Sequence, residues 1–196
     1  VPVTTRRQQT AFIRVPWSVY AGDQHWVAPL QLERRLHLSR RNPYFAHADA
    51  VFWVAYRGER PVGRISAQID RLHLEQHGDH TGHFGFIEAV DDAEVFRSLF
   101  DTAETWLRER GMRRVLGPFS FSINDECGLL VDGFDTPPMF LMGHARPYYD
   151  TRIQELGYTK AMDTFAYILA GDAPVPDVVR QALQRVSERV RIRPIR

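Results

Sequence analysis

Residues 92–110 constrain the fold most. Asp92 can cap a helix in which Val95, Phe96, Leu99, Phe100, Ala103, Trp106 and Leu107 recur at three- and four-residue steps on one face. Arg108 and Arg110 lie near the negative end of the helix dipole, and Gly111 is a natural stop. The flanking stretches read as strands: HFGFIEAV at His83–Val90 and a short one at Arg113–Leu116. A helix in that place is a crossover, and a crossover joins parallel strands.

Upstream, the aromatic and β-branched run Val51–Arg57 and the run Pro61–Ile69 flank turn material, which predicts a β-hairpin and antiparallel pairing. Thr10–Tyr20 and Leu30–Leu38 have roughly helical spacing, and Gly78–Gly82 reads as a loop. Downstream the order is a helix at Tyr148–Leu156 ended by Gly157, a strand at Tyr158–Leu169, a linker at Ala170–Pro176 and an amphipathic helix at Val178–Val190. These elements predict a mixed α/β domain with one sheet flanked by helices.

Composition excludes several functions. A formal net charge of +1 offers no basic field for nucleic acid, and no basic stripe interleaves with aromatics. The basic residues are nearly all Arg, Lys160 being the only Lys. One cysteine, Cys127, excludes an internal disulfide and a Cys-based zinc cluster, and fits a reducing cytoplasm. No apolar run approaches the ~20 residues of a membrane span, so no membrane partner is expected. The first ten residues lack the apolar core of a signal peptide. Neither a phosphate-binding G-x-x-x-x-G-K-S/T loop nor a G-x-G-x-x-G turn is present.

The polar cluster most able to do chemistry lies in Gly117–Tyr149. There Ser122, Asn124, Asp125, Glu126 and Cys127 sit between apolar runs punctuated by Gly and Pro. Phe119, Phe121, Leu129 and Leu130 can wall a pocket around them. Asn124 and Glu126 either orient an amine or hydroxyl, or satisfy loop backbone groups. Cys127 with His144 invites a Cys–His hydrolase reading, but no local signature supports it, and packed lone cysteines are usually inert. His73, His77, His80 and His83 have ligand-like spacing, but Gly78 and Gly82 interrupt any shared face; a solvated loop and no metal are expected.

The element order resembles the GNAT acyltransferase superfamily, whose members use acyl-coenzyme A. VFWVAYRGERPVGRISAQI is similar to its second and third strands, HFGFIEAV to its fourth, Ala93–Gly111 to the helix after it, and ARPYYDTRIQELGYTK to its late helix and following strand. The likeness covers roughly residues 5–170. WVAPL at 26–30, RNPYF at 41–45, GRISAQIDRLH at 63–73 and GPFSFSINDECGLLVDGFDTPP resemble a group of bacterial GNAT-like hypothetical proteins. The resemblance implies a mixed, mostly antiparallel central sheet flanked by helices. It also implies an N-acyltransferase that moves an acyl group, from acetyl-CoA or another acyl-CoA, to an unknown amine.

The same resemblance suggests residue roles. A carboxylate at Glu88 can take a proton from an attacking amine. Alternation puts Phe84, Phe86, Glu88 and Val90 on one face, where apolar neighbours would raise its pKa; an ion pair with an arginine is the competing role. Tyr149 can protonate a departing thiolate, although the superfamily's tyrosine falls where this chain has Ile153; aromatic packing at a helix start is the alternative. Ser122, Asn124, Glu126 and Tyr148 would shape the acceptor site.

One departure bears on the cofactor. The superfamily holds the coenzyme A diphosphate on a Q/R-x-x-G-x-G/A loop at the helix N-terminus. This chain has AVDDAEVF there, glycine-free and acidic at Asp91, Asp92 and Glu94. The diphosphate loop is therefore unmatched. The final ERVRIRPIR resembles the opening strand of another GNAT domain. Residues 1–171 are expected to form one GNAT-like domain, and 172–196 a linker helix and the start of a second. The expected partner is that second domain or a homodimer. The competing function is a degenerate, non-catalytic half supporting the second domain.

Overall fold

The computed structural model describes residues 1–168, 171–172, 174–187 and 190. The chain divides into two units, Val1–Lys160 and Ala161–Arg196.

In the first unit α1 (Arg6–Val19) and α2 (Gln31–His37) precede a single 3-10 turn, Pro43–Ala46. Then come β1 (Ala48–Arg57), β2 (Arg60–Asp70), α3 (Arg71–His77), β3 (Thr81–Ala89), α4 (Ala93–Arg108), β4 (Arg114–Leu116) and α5 (Tyr148–Gln154). The sheet order is β1-β2-β3-β4. The first two pairings are antiparallel, and β3–β4 is parallel, as a helical crossover requires. The fold is α+β.

The pleat divides the two helical layers. Gly63, Ile65 and Ala67 of β2 face α4. There Phe84 meets Phe100 at 4.9 Å between ring centres, and Trp53 meets Trp106 at 6.4 Å. Arg64, Ser66 and Gln68 face the other way, towards α1, where Phe12 meets Phe52 at 5.3 Å and Phe86 at 5.9 Å. Alternation along β3 is broken: three residues of β2 (Arg64 to Ser66) oppose four of β3 (Glu88 to Gly85). Phe86 takes a left-handed φ of 49° within that bulge. The extra residue puts Phe84 under α4 and leaves Phe86 and Glu88 on the α1 side. The expected single face of Phe84, Phe86, Glu88 and Val90 is thus corrected.

Local capping explains the other shifts. α1 starts at Arg6 rather than Thr10 because Thr5 and Gln8 form a reciprocal capping box. α3 fills part of the connection before the expected loop: Asp70 caps its start through the Leu72 N–H, and Gly78 ends it at φ 59°. Asp92 caps α4 as expected. The predicted strand Tyr158–Leu169 does not form over residues 158–168, and Leu169 lies outside the described residues. Its aromatic pattern needs a neighbouring ladder and a surface to cover; without them Phe165, Tyr167 and Ile168 are exposed.

The second unit contains α6 (Asp177–Ser187), which overlaps the predicted Val178–Val190 helix; its Val178, Val179, Leu183 and Val186 are exposed. The expected opening strand at Ile192–Arg196 lies outside the described residues. No described helix is long and apolar enough to cross a membrane.

Candidate functional site

Glu88 is the centre of the site. It follows the bulge, so its carboxylate enters the layer under α1, and its side chain is only 13% exposed. Tyr149, on the first turn of α5, donates its phenolic hydrogen to Glu88 Oε2 at 2.7 Å. The Tyr149 phenolic oxygen in turn accepts the Ala89 N–H at 3.0 Å. Arg64, directly across the strand pair, brings Nη2 to 3.7 Å from Glu88 Oε1. Burial raises the Glu88 pKa to about 7, against the opposing pull of Arg64, Tyr149 and Tyr20. Burial, and then the Glu88 charge, push both tyrosines well above the usual phenol range.

Glu88 lies in the wall of a cavity of about 90 Å³. Tyr20, Arg34, Arg64, Glu126, His144 and Tyr149 are its main polar lining. Trp26, Val27, Leu129, Pro138 and Met142 supply apolar wall. The 117–145 segment closes one side, and it is anchored on the sheet: Phe119 N–H donates to Phe84 O at 2.7 Å, and Gln68 Nε2 donates to Phe119 O at 2.5 Å. Phe121 then plugs into an aromatic cluster with Tyr44, Phe45, Phe52 and Phe86.

The sequence-derived site residues divide. Glu88 and Tyr149 are in direct contact, and Glu126 joins their cavity, where it pairs with Arg34. Ser122 donates to Asp125 at 2.8 Å, and Asp125 approaches His37 at 3.2 Å, a network outside the cavity lining. Asn124 is exposed, its N–H bonded to the Ser122 hydroxyl. Tyr148 turns away and donates to Ala89 O at 2.8 Å. Of the expected walls, Leu129 lines the cavity, while Phe121 belongs to the aromatic plug.

Sequence reasoning missed Tyr20, Arg34, Arg64 and the Asp23–His144 pair. Strand pairing could have found Arg64, which faces Glu88 in register; no local signal joins Tyr20 to His144 across their long sequence separation. His144 Nε2 lies 3.0 Å from Asp23 Oδ2, so His144 is committed to Asp23. Cys127 Sγ is directed at Ile123 O. Of the four histidines only His80 lies exposed in the expected loop. His73 and His77 stand on α3 and His83 is buried on β3, with ring centres at 4.5 Å (His73–His77) and 4.9 Å (His73–His83). Among the described residues, no group of three His, Cys, Asp or Glu is arranged to hold a metal ion.

The N-terminus of α4 does not fit a diphosphate. Asp92 accepts the Glu94 N–H at 3.0 Å and pairs with Arg57 at 2.7 Å, and Asp91 pairs with Arg152 at 2.8 Å. The cap is occupied by protein carboxylates already engaged with arginines.

The fold and the site define an α+β protein with a buried carboxylate–phenol pair at a cavity. No family model matches the chain, and no solved structure matches it. It is 47% identical over 187 residues to a protein of Caulobacter vibrioides (strain NA1000 / CB15N) named bacterial ceramide synthase, covering 94% of this chain and 49% of that protein. It is 45% identical over 184 residues to Protein YghO of Escherichia coli (strain K12), covering 93% of this chain and 47% of that protein. The chain thus spans about half the length of these curated relatives.

Proposed function

We propose that this chain carries the acceptor site and general base of an N-acyltransferase whose acceptor is a long-chain amine of the kind found in ceramide. A ceramide is the amide of a fatty acid with a long-chain amino alcohol, and the relative named bacterial ceramide synthase motivates that substrate class. The observation that carries the reading is Glu88: a buried carboxylate with its pKa near 7, in a cavity wall and hydrogen-bonded to a phenol. A general base works best when its pKa lies near the operating pH.

The ionised Glu88 removes a proton from the acceptor ammonium. Glu88 passes that proton to solvent, the freed amine attacks the carbonyl carbon of an acyl thioester, and Glu88 takes the second nitrogen proton as the C–N bond forms and the C–S bond breaks. Tyr149 gives its proton to the departing thiolate and recovers one from Glu88 across their 2.7 Å hydrogen bond. The cavity, at about 90 Å³, suits a polar head rather than a hydrocarbon chain. Val27, Leu30, Met139, Phe140 and Met142 are exposed; Val27 and Met142 line the cavity, Leu30 and Met139 adjoin lining prolines in sequence, and Phe140 follows Met139. They give a long chain an apolar path outwards. Since α4 does not fit a diphosphate, the carrier of the acyl donor is held elsewhere in the whole protein.

The capped, acidic α4 favours a second reading: a non-catalytic half that supports a cofactor-binding domain. Acyl transfer by the full-length protein separates the two. Glu88→Gln is expected to lower kcat at least ~100-fold on the first reading. Undiminished turnover would leave only the second.

A further inference from the structure

Two buried atoms on cavity-lining residues, Arg64 Nε and His144 Nδ1, have no hydrogen-bond partner among the described residues. The fold commits the other nitrogens of both side chains. Arg64 is 8% exposed; its Nη1 donates to Phe12 O at 3.1 Å, and its Nη2 faces Glu88. That leaves Nε–H. The His144 side chain is 5% exposed, and its Nε2 meets an Asp23 carboxylate that also accepts from Arg146 at 3.1 Å.

A carboxylate can only accept, so the hydrogen between the two lies on His144 Nε2. In the neutral ring Nδ1 then keeps a lone pair. Asp23 is well fitted to hold that tautomer. Burial alone would raise its pKa, but His144, the His25 N–H and Arg146 bring it to about 2. The backbone of His144 is fixed as well, its carbonyl accepting from Tyr20 at 3.0 Å. Two residues of the cavity lining therefore carry one unmatched donor and one unmatched acceptor, both on side chains held by other partners.

We propose that Arg64 Nε and His144 Nδ1 form the subsite that reads the polar head of the acceptor. Arg64 gives its hydrogen to an oxygen beside the reacting amine, and His144 takes the hydrogen of a hydroxyl. The inference rests on the N-acyltransferase reading. It adds that the acceptor must carry oxygen next to its amine, and that at least one oxygen must bear a hydrogen. A simple alkylamine satisfies neither atom. A methyl ether satisfies Arg64 alone, because an ether oxygen accepts but cannot donate.

Calorimetry on the full-length protein tests this with three matched probes: a long-chain 2-amino-1,3-diol, its di-O-methyl ether and an alkylamine of equal chain length. The diol is expected to bind about tenfold to a hundredfold more tightly than the alkylamine, with an ether falling between them. His144→Gln should erase the gap between diol and ether. Arg64→Gln should erase the gap between ether and alkylamine. Equal affinity of the wild-type protein for diol and alkylamine overturns the subsite without any variant. So does a His144 variant that weakens diol, ether and alkylamine alike, because Nδ1 would then serve the amine. Acylation of both amines with equal kcat/KM defeats the subsite and leaves the transferase reading intact. Tight, selective binding with no acylation of any amine supports the subsite and defeats the transferase reading.

Discussion

Tyr149 donates its phenolic hydrogen to Glu88 across 2.7 Å, although 61 residues separate them in the chain. The same phenolic oxygen accepts the Ala89 N–H, so one side chain fixes both the carboxylate and the strand end beside it. Tyr149→Phe keeps the ring against Phe96, at 5.4 Å between centres, and removes both hydrogen bonds. The buried Ala89 N–H then has no acceptor, and an orphaned buried donor costs about 1–3 kcal/mol. A denaturant midpoint lowered to that extent is expected, together with a fall in kcat. An unchanged midpoint would show that Tyr149 is not the strut described here.

The Glu88 carboxylate sets two pH dependences of opposite benefit. Its base form predominates only above about pH 7, so kcat/KM is expected to rise with unit slope up to that point and then level off. Stability runs the other way. Below the ordinary value of 4.5 Glu88 is neutral in the folded and unfolded states alike, and its contribution is fully present. Between 4.5 and about 7 the folded chain holds a proton that the unfolded chain has lost, so stability falls as pH rises. The loss is ~3 kcal/mol at ~1.4 kcal/mol per pH unit. Asp23, held down to about 2, contributes stability that is lost only as pH falls from 3.8 through 2, outside this window. His83, held down to about 4 by burial, adds stability as pH rises from 4 to 6.5, against the Glu88 loss. Urea denaturation at pH 5 and pH 8 should therefore isolate the Glu88 loss as the difference between wild type and Glu88→Gln, and equal pH dependence of the two would show that Glu88 does not contribute it.

How far the sequence disclosed this site depended on periodicity. β1, β2 and α4 carry clean patterns of period two or 3.6, and their bounds came close. The left-handed turn at Phe86 has no such mark, because Phe there reads as one more strand residue; yet that bulge carries Glu88 into the layer under α1. Tyr149 and Glu88 were both singled out as chemistry-bearing, but their contact depends on how α5 docks over β3. Gly117–Tyr149 reads in the sequence as a shaped surface. Which of its polar residues turn inward was decided by long-range anchors, so Glu126 reaches the cavity and Asn124 does not.

Gly85 tests those anchors. A Cβ there would run into the carbonyl of Phe119, the group that Gln68 holds. The contact is backbone, so no side-chain rotation relieves it. Gly85→Ala is expected to lift the 117–145 segment off β3 and cost about 3 kcal/mol or more, at the upper end of overpacking effects. Faster hydrogen exchange at Phe119 N–H, now bonded to Phe84 O, would report the lifting. Retained protection at Phe119 together with wild-type stability would mean that the close approach is not required.

The cap of α4 gives the last prediction. Asp92 stands at the N-terminus of α4, where the GNAT resemblance would place an acyl-CoA diphosphate, and it is tied to the Glu94 N–H and to Arg57. An anion there would have to displace a carboxylate that already satisfies the cap and would be repelled by Asp91 and Glu94 nearby. Asp92→Ala in the full-length protein is therefore expected to behave as a lost cap: about 1 kcal/mol of stability, with the KM for acyl-CoA unchanged. Calorimetry of residues 1–196 with acetyl-CoA should show no micromolar binding. If Asp92→Ala tightens acyl-CoA binding tenfold or more, the carboxylate was competing with the diphosphate. The donor site would then lie on this chain after all.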